Sequence, residues 1–89
     1  MYRVELASRA QRELNRLPES DRRRISAALA RLAEDPRPSG TAKLKGNLYR
    51  LRVGPHRVIY AVSDREEFVV ALKIARREKN TYDRLEELF

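Results

Sequence analysis

The sequence predicts an α+β domain: a small antiparallel sheet of about four strands, an N-terminal helical hairpin packed on one face, and a short C-terminal helix. Three observations lead there. Apolar residues recur at helical spacing between Ser8 and Glu34, the period changes to two around Tyr49, and helical spacing returns from Asn80 to Phe89. With no internal repeat, low-complexity tract or linker, residues 1–89 read as a single domain.

Tyr2, Val4 and Leu6 alternate with Arg3 and Glu5, the pattern of a half-buried strand. Ser8 stands three residues before Gln11, the spacing of a capping box that opens a helix, and Ala10, Leu14 and Leu17 share one face of it. Pro18 ends that face. A second helix begins at Glu19 or Ser20 and runs to about Glu34, with Ile25, Leu29 and Leu32 at i, i+4 and i+7 as its buried stripe. Glu19 and Asp21 in its first turn suit the helix dipole, and Asp35-Pro36-Arg37-Pro38-Ser39-Gly40 stops it.

After a loop carrying Lys43 and Lys45, Tyr49, Leu51 and Val53 alternate with Arg50 and Arg52. Gly54-Pro55 interrupts, and Val58, Tyr60 and Val62 then alternate with Arg57, Ile59 and Ala61, a β-hairpin with glycine where the turn wants positive φ. Ser63-Asp64-Arg65-Glu66 forms the next turn, and the apolar run from Phe68 to Ile74 reads as a central strand. Tyr82, Leu85 and Leu88 or Phe89 give the last helix its apolar side.

Composition narrows the function classes. The chain has no cysteine and one histidine, so disulfides, thiolate catalysis and a protein-built zinc site are not expected, nor is any cofactor. No apolar run reaches the ~20 residues of a membrane span and no secretory signal stands at the N-terminus, so the expected location is the cytoplasm. A net charge of +7 points to a polyanionic partner: nucleic acid, ribosome or an acidic protein.

Where the charges fall sharpens this. With a two-residue turn, Val53 pairs with His56 and Arg52 lies opposite Arg57. Tyr49, Leu51, Val58 and Tyr60 then meet the helices, while Arg50, Arg52 and Arg57 share the other face. Like charges directly across a sheet cost roughly 0.2–1 kcal/mol. Three guanidinium groups converging on one face form a fork-shaped site suited to phosphate. Lys43 and Lys45 before the hairpin, and Arg76, Arg77 and Lys79 after the last strand, extend the basic rim as candidate RNA contacts. His56 points by alternation away from Arg57, which favours a structural role.

Taken together, Lys43-Leu44-Lys45-Gly46, Tyr49-Arg50-Leu51-Arg52-Val53-Gly54 and Arg57-Val58-Ile59-Tyr60 resemble the central signature of RelE-like toxins of the RelE/ParE superfamily. Ile74-Ala75-Arg76-Arg77 followed by Tyr82 is similar to that family's C-terminal motif, and the segment with Ala10, Leu14, Leu17 and Pro18 to its helical hairpin. The resemblance implies a toxin of a type II toxin–antitoxin system that enters the A site of the 70S ribosome and cuts mRNA without a metal. The ribose 2′-hydroxyl is then the nucleophile. It also implies an acidic RelB-like antitoxin as partner, for which the apolar side of the C-terminal helix is a suitable docking element.

Carried over by residue, Arg50, Arg52, Arg57, Arg77 and Tyr82 are the catalytic candidates. Some family members have lysines where this chain has Arg50 and Arg52. Arginine cannot act as a base near neutral pH, so the identity of the general base stays open, with Tyr82 and Glu78 as candidates and His56 favoured as structural. Two other readings remain beside the nuclease: a ParE-like inhibitor of DNA gyrase, and a basic RNA-binding module without catalysis.

Overall fold

The structure, a computed structural model, describes residues 1–76. Among these lie β1 (Arg3–Leu6), α1 (Ser8–Asn15), α2 (Glu19–Leu32), β2 (Thr41–Lys45), β3 (Leu48–Val53), β4 (His56–Ser63) and β5 (Phe68–Arg76). The expected C-terminal helix lies outside the described residues. No described helix is long and apolar enough to cross a membrane.

The strands form one five-stranded sheet in the order β1-β5-β4-β3-β2. Two expectations are corrected here. The sheet is mixed, because β1 runs parallel to β5 with Arg3 opposite Phe68 and Leu6 opposite Ala71. The segment with Lys43 and Lys45 is a fifth strand rather than a loop, paired antiparallel to β3 from Thr41↔Leu51 to Lys45↔Leu48. An edge strand gains from lysines that discourage further pairing, and the same lysines make its sequence look like a loop.

Both helices cover one face of this sheet. Ala10 and Leu14 of α1 and Ile25, Leu29 and Leu32 of α2 are buried against Leu51, Val53, Val58, Tyr60, Val62, Val69, Ala71 and Ile74. Each helix stripe anticipated from spacing is thus a core stripe. Burying an aliphatic side chain contributes about 1.5–3 kcal/mol, and this single layer is the main store of stability in so short a chain.

The entry to α1 differs from expectation. Ala7 is the N-cap, in extended conformation with no side-chain cap, and Gln11 N–H donates to the Ala7 carbonyl at 2.9 Å. Ser8 is already helical, so the Ser8–Gln11 capping box does not form. The cause is tertiary: Ala7 N–H is held by the Ala71 carbonyl at 2.8 Å, which keeps residue 7 extended against β5. Pro18 is the N-cap of α2, whose last helical residue is Leu32 rather than a residue near Glu34.

The central hairpin has the anticipated register. Val53 pairs with His56 and Arg52 with Arg57 across a two-residue Gly54-Pro55 turn. Gly54 has φ +58°, and a Cβ there would run into the guanidinium of Arg24 from α2. The positive φ therefore favours glycine, and any side chain there would also displace the end of Arg24.

A polar corner closes the helix side of the sheet. Arg37, between α2 and β2, donates two hydrogen bonds to Asp64 in the β4–β5 turn at 2.9 and 3.1 Å, and a third to the Tyr49 hydroxyl at 2.9 Å. Tyr2 donates to Asp64 at 2.6 Å, and the buried Tyr60 hydroxyl donates to the Pro36 carbonyl at 2.7 Å. Tyr49 and Tyr60 stack at 5.8 Å.

Candidate nucleic-acid interface

Partners directly opposed across a sheet project to the same face, so the register defines what stands away from the helices. One row reads Ala42, Arg50, Ile59, Lys73 across β2 to β5. The next reads Arg52, Arg57, Ala75. A third, towards the other end, reads Lys45, Leu48, Ala61. The helices bury the opposite face, and these rows form the second one.

The structure therefore brings Arg50, Arg52 and Arg57 onto one surface, with Cβ atoms of opposed residues about 4.5–5.5 Å apart and diagonal ones about 7–8 Å. Their environments differ. Arg52 is exposed, Arg50 is half-buried, and Arg57 retains only 1% of its surface. Like charges directly opposed across a sheet cost roughly 0.2–1 kcal/mol. Guanidinium N–H donors gathered on one face have the fork geometry that matches phosphate oxygens.

The remaining sequence candidates separate. Lys45 reaches the arginine face because a bulge between Lys43 and Lys45 shifts its pairing to Leu48. Lys43, paired with Tyr49, projects to the helix side. Arg76 also stands on that side, paired with His56 at the end of β5. Arg77, Lys79 and Tyr82, with Glu78, lie outside the described residues. His56 is 4% exposed and sits beside Val53 on the helix side, away from the arginines.

Lys73 is a residue of this face that sequence reasoning passed over. Reading Phe68 to Ile74 as one apolar strand hid it. The available signal was the spacing of the core residues, since Val69 and Ala71 are followed by Ile74 and not by residue 73. A bulge accounts for the break: Tyr60 pairs with Ala71 but Ile59 with Lys73, which leaves Leu72 as the extra residue. That inversion turns Lys73 to the arginine face and Ile74 to the core. Bulges commonly re-aim side chains in this way beside functional surfaces.

Two tyrosines can be set aside as proton acceptors. Burial pushes the Tyr60 hydroxyl above its ordinary value, and the hydrogen bond to Asp64 does the same for Tyr2. Both stand at the Arg37 corner on the helix side. Among the described residues no three His, Asp or Glu side chains come together as a metal-binding group.

Comparison with known proteins follows this geometry. The family model described as the ParE toxin of type II toxin–antitoxin systems matches residues 4–81. A curated relative from Methanocaldococcus jannaschii, a candidate RelE1 toxin, is 32% identical over 82 residues, spanning 86% of this chain and 91% of the relative. The crystal structure of the archaeal RelE–RelB complex from Pyrococcus horikoshii matches with a TM-score of 0.77 and 29% identity, covering 88% of this chain and 97% of that one. Isolated Escherichia coli RelE superposes over 100% of both chains with a TM-score of 0.75 at 21% identity, a likeness of fold.

Proposed function

The chain belongs to the RelE/ParE superfamily and is a toxin of a toxin–antitoxin system, and from that premise we propose that it is a metal-independent endoribonuclease acting on mRNA in the ribosomal A site. The observation that carries the reading is the register of β3 and β4, which sets Arg52 against Arg57 with Arg50 alongside. Attack of a ribose 2′-hydroxyl on the adjacent phosphorus builds negative charge on the non-bridging oxygens. Fixed guanidinium groups aimed at that charge lower the barrier, by about 10²–10³-fold in rate for each such donor in comparable sites. Phosphate recognition by arginines needs no deep reading of bases, which suits a strand already presented by the ribosome. Arg77 and Tyr82 complete the proposed catalytic set, and Lys43, Lys45, Arg76 and Lys79 the proposed RNA contacts, Lys45 from the arginine face itself.

The partner we propose is an acidic RelB-like antitoxin, in keeping with the RelE–RelB complexes of Pyrococcus horikoshii and Methanococcus jannaschii among the similar structures. A chain of net charge +7 would attract such a protein in the cytoplasm, and coverage of the arginine face would silence the toxin.

The test is primer extension on a defined mRNA after brief expression of the chain without antitoxin, with Arg57→Ala as control. Cuts within translated codons that vanish in the control are expected. Growth arrest without cuts would instead favour a second reading, inhibition of DNA gyrase, which the match to the ParE family model supports. A supercoiling assay with purified gyrase separates the two.

A further inference from the structure

Between α2 and the end of β3 lies an open groove of about 260 Å³. Arg24, Ala27, Ala28 and Arg31 line it from α2 at i, i+3, i+4 and i+7, a single stripe of the helix. Leu51, Arg52 and Val53 line it from β3. The two alanines keep it open, since longer side chains at those positions would fill the space between helix and strand. The two arginines stand either side of them, two turns apart and so about 10.5 Å along the helix axis.

Both arginines are exposed, and among the described residues no ion pair or hydrogen bond engages either guanidinium. Asp21 and Glu34, each three residues away along the chain, do not bridge to them. The Arg24 guanidinium lies against Gly54, in the space that a Cβ would take. A charge rooted in the helix layer thus reaches the turn whose two strands carry Arg52 and Arg57. Arg52 belongs to both places, lining the groove and standing in the arginine rows of the sheet.

Resting on the reading of this chain as an RNA-directed toxin, we propose that the groove holds the sugar–phosphate backbone of the RNA strand beside the arginine face. Phosphates meet Arg24 and Arg31, and a ribose lies over the alanines between them. The lining matches that ligand. Guanidinium forks suit phosphate oxygens, and the apolar side chains suit the carbon surface of the sugar. No carboxylate lines the groove, so a strand received at Arg52 continues into it without repulsion. That continuity favours RNA over an acidic polypeptide as the occupant. Backbone contacts of this kind position a strand without reading its sequence, so Arg24 and Arg31 act on affinity rather than on the chemical step.

The experiment is an anisotropy titration of the full chain with a labelled oligouridylate over a series of salt concentrations. The 2′-hydroxyls of the probe are methylated, which removes the nucleophile and leaves binding alone to be read. Arg24→Gln and Arg31→Gln should each weaken binding about tenfold, the worth of one hydrogen-bonded charge. Each should also lower the slope of log affinity against log salt by about 0.7, one phosphate contact on a single strand. Arg65→Gln, in the β4–β5 turn at the other end of β4, removes the same charge and should have much less effect. Ala27→Met fills the groove with every charge kept and should weaken binding as well. Urea melts of the variants check that each is folded.

Equal losses for Arg65→Gln, Arg24→Gln and Arg31→Gln would reduce the effect to net charge and overturn the site. So would wild-type affinity in Ala27→Met, or no binding by the wild-type chain. Poly-glutamate is the second probe. If the groove variants lose poly-glutamate and keep the oligouridylate, the occupant is an acidic polypeptide and the proposal falls. A chain that binds RNA in the expected pattern yet makes no cuts on programmed ribosomes would remove the nuclease reading and leave the groove assignment standing.

Discussion

Arg37 and Arg57 are both held against the same sheet, yet they meet opposite partners. Arg37 grips Asp64 through two parallel N–H···O bonds, lies 5.0 Å from the centre of the Tyr49 ring, and joins the α2–β2 connection to the β4–β5 turn. Arg57, almost wholly buried, stands in register opposite Arg52. In the first region a cation is matched by a carboxylate, which holds geometry. In the second, Arg52 and Arg57 stand opposed in register, and under the proposed function that surface would receive a phosphate. Changes at the Arg37 corner should therefore appear in stability, and changes on the arginine face in cleavage.

The largest expected effect is on that face. Arg52→Ala should lower cleavage about 10²–10³-fold. Because Arg52 is exposed, stability should move by no more than about 0.5 kcal/mol. Single-turnover cleavage beside a urea melt measures both, and wild-type cleavage would erase the contrast. At the corner, Tyr60→Phe should cost about 1–3 kcal/mol by leaving the Pro36 carbonyl without its buried donor, with the pattern of cuts unchanged. A shift in urea midpoint without a change in primer-extension products is the signature. Gly54→Ala should cost about 1–2 kcal/mol from the positive φ alone, and more if the Arg24 side chain cannot move aside.

The smallest effect is a pH dependence centred on Asp64. Its carboxyl is held below the ordinary 3.8, first by the hydrogen bonds from Arg37 and then by the Tyr2 hydroxyl. A folded value below the unfolded one means this contribution is present above 3.8 and disappears as pH falls through the lowered value. Tyr2 is shifted up from 10.0, chiefly by the hydrogen bond to Asp64, so its contribution is intact below 10.0 and fades as pH rises through the raised value. Asp64→Asn should flatten both limbs of a plot of urea midpoint against pH. Limbs identical to wild type would show that the corner carries no linked stability. Screening by solvent keeps the effect modest, since both groups lie at the surface.

Much of the candidate site could be read from the residues because its geometry is local. Two residues of turn between two alternating runs leave one natural register, so the opposition of Arg52 to Arg57 follows from the sequence around Gly54-Pro55. Lys73 could not be placed that way. A one-residue bulge inverts the faces beyond it, and nothing within Phe68 to Ile74 marks Leu72 as the extra residue except the positions the core accepts. Ser8 illustrates the same limit. Its spacing to Gln11 is that of a capping box, but the Ala71 carbonyl, distant in sequence, decides where the helix begins.

The sequence by itself determined the helical hairpin, its buried stripes, the hairpin register and the gathering of three arginines on one face. Each of these depends on periodicity or on a turn spanning a few residues. Only the tertiary structure decided that β1 runs parallel to β5, that the Lys43–Lys45 segment is an edge strand, that Lys73 joins the arginines, and that Lys43 and Arg76 do not. Those outcomes depend on pairing between segments far apart in the chain. There, backbone hydrogen bonds and the shape of the common core choose among alternatives that local residue patterns leave equal.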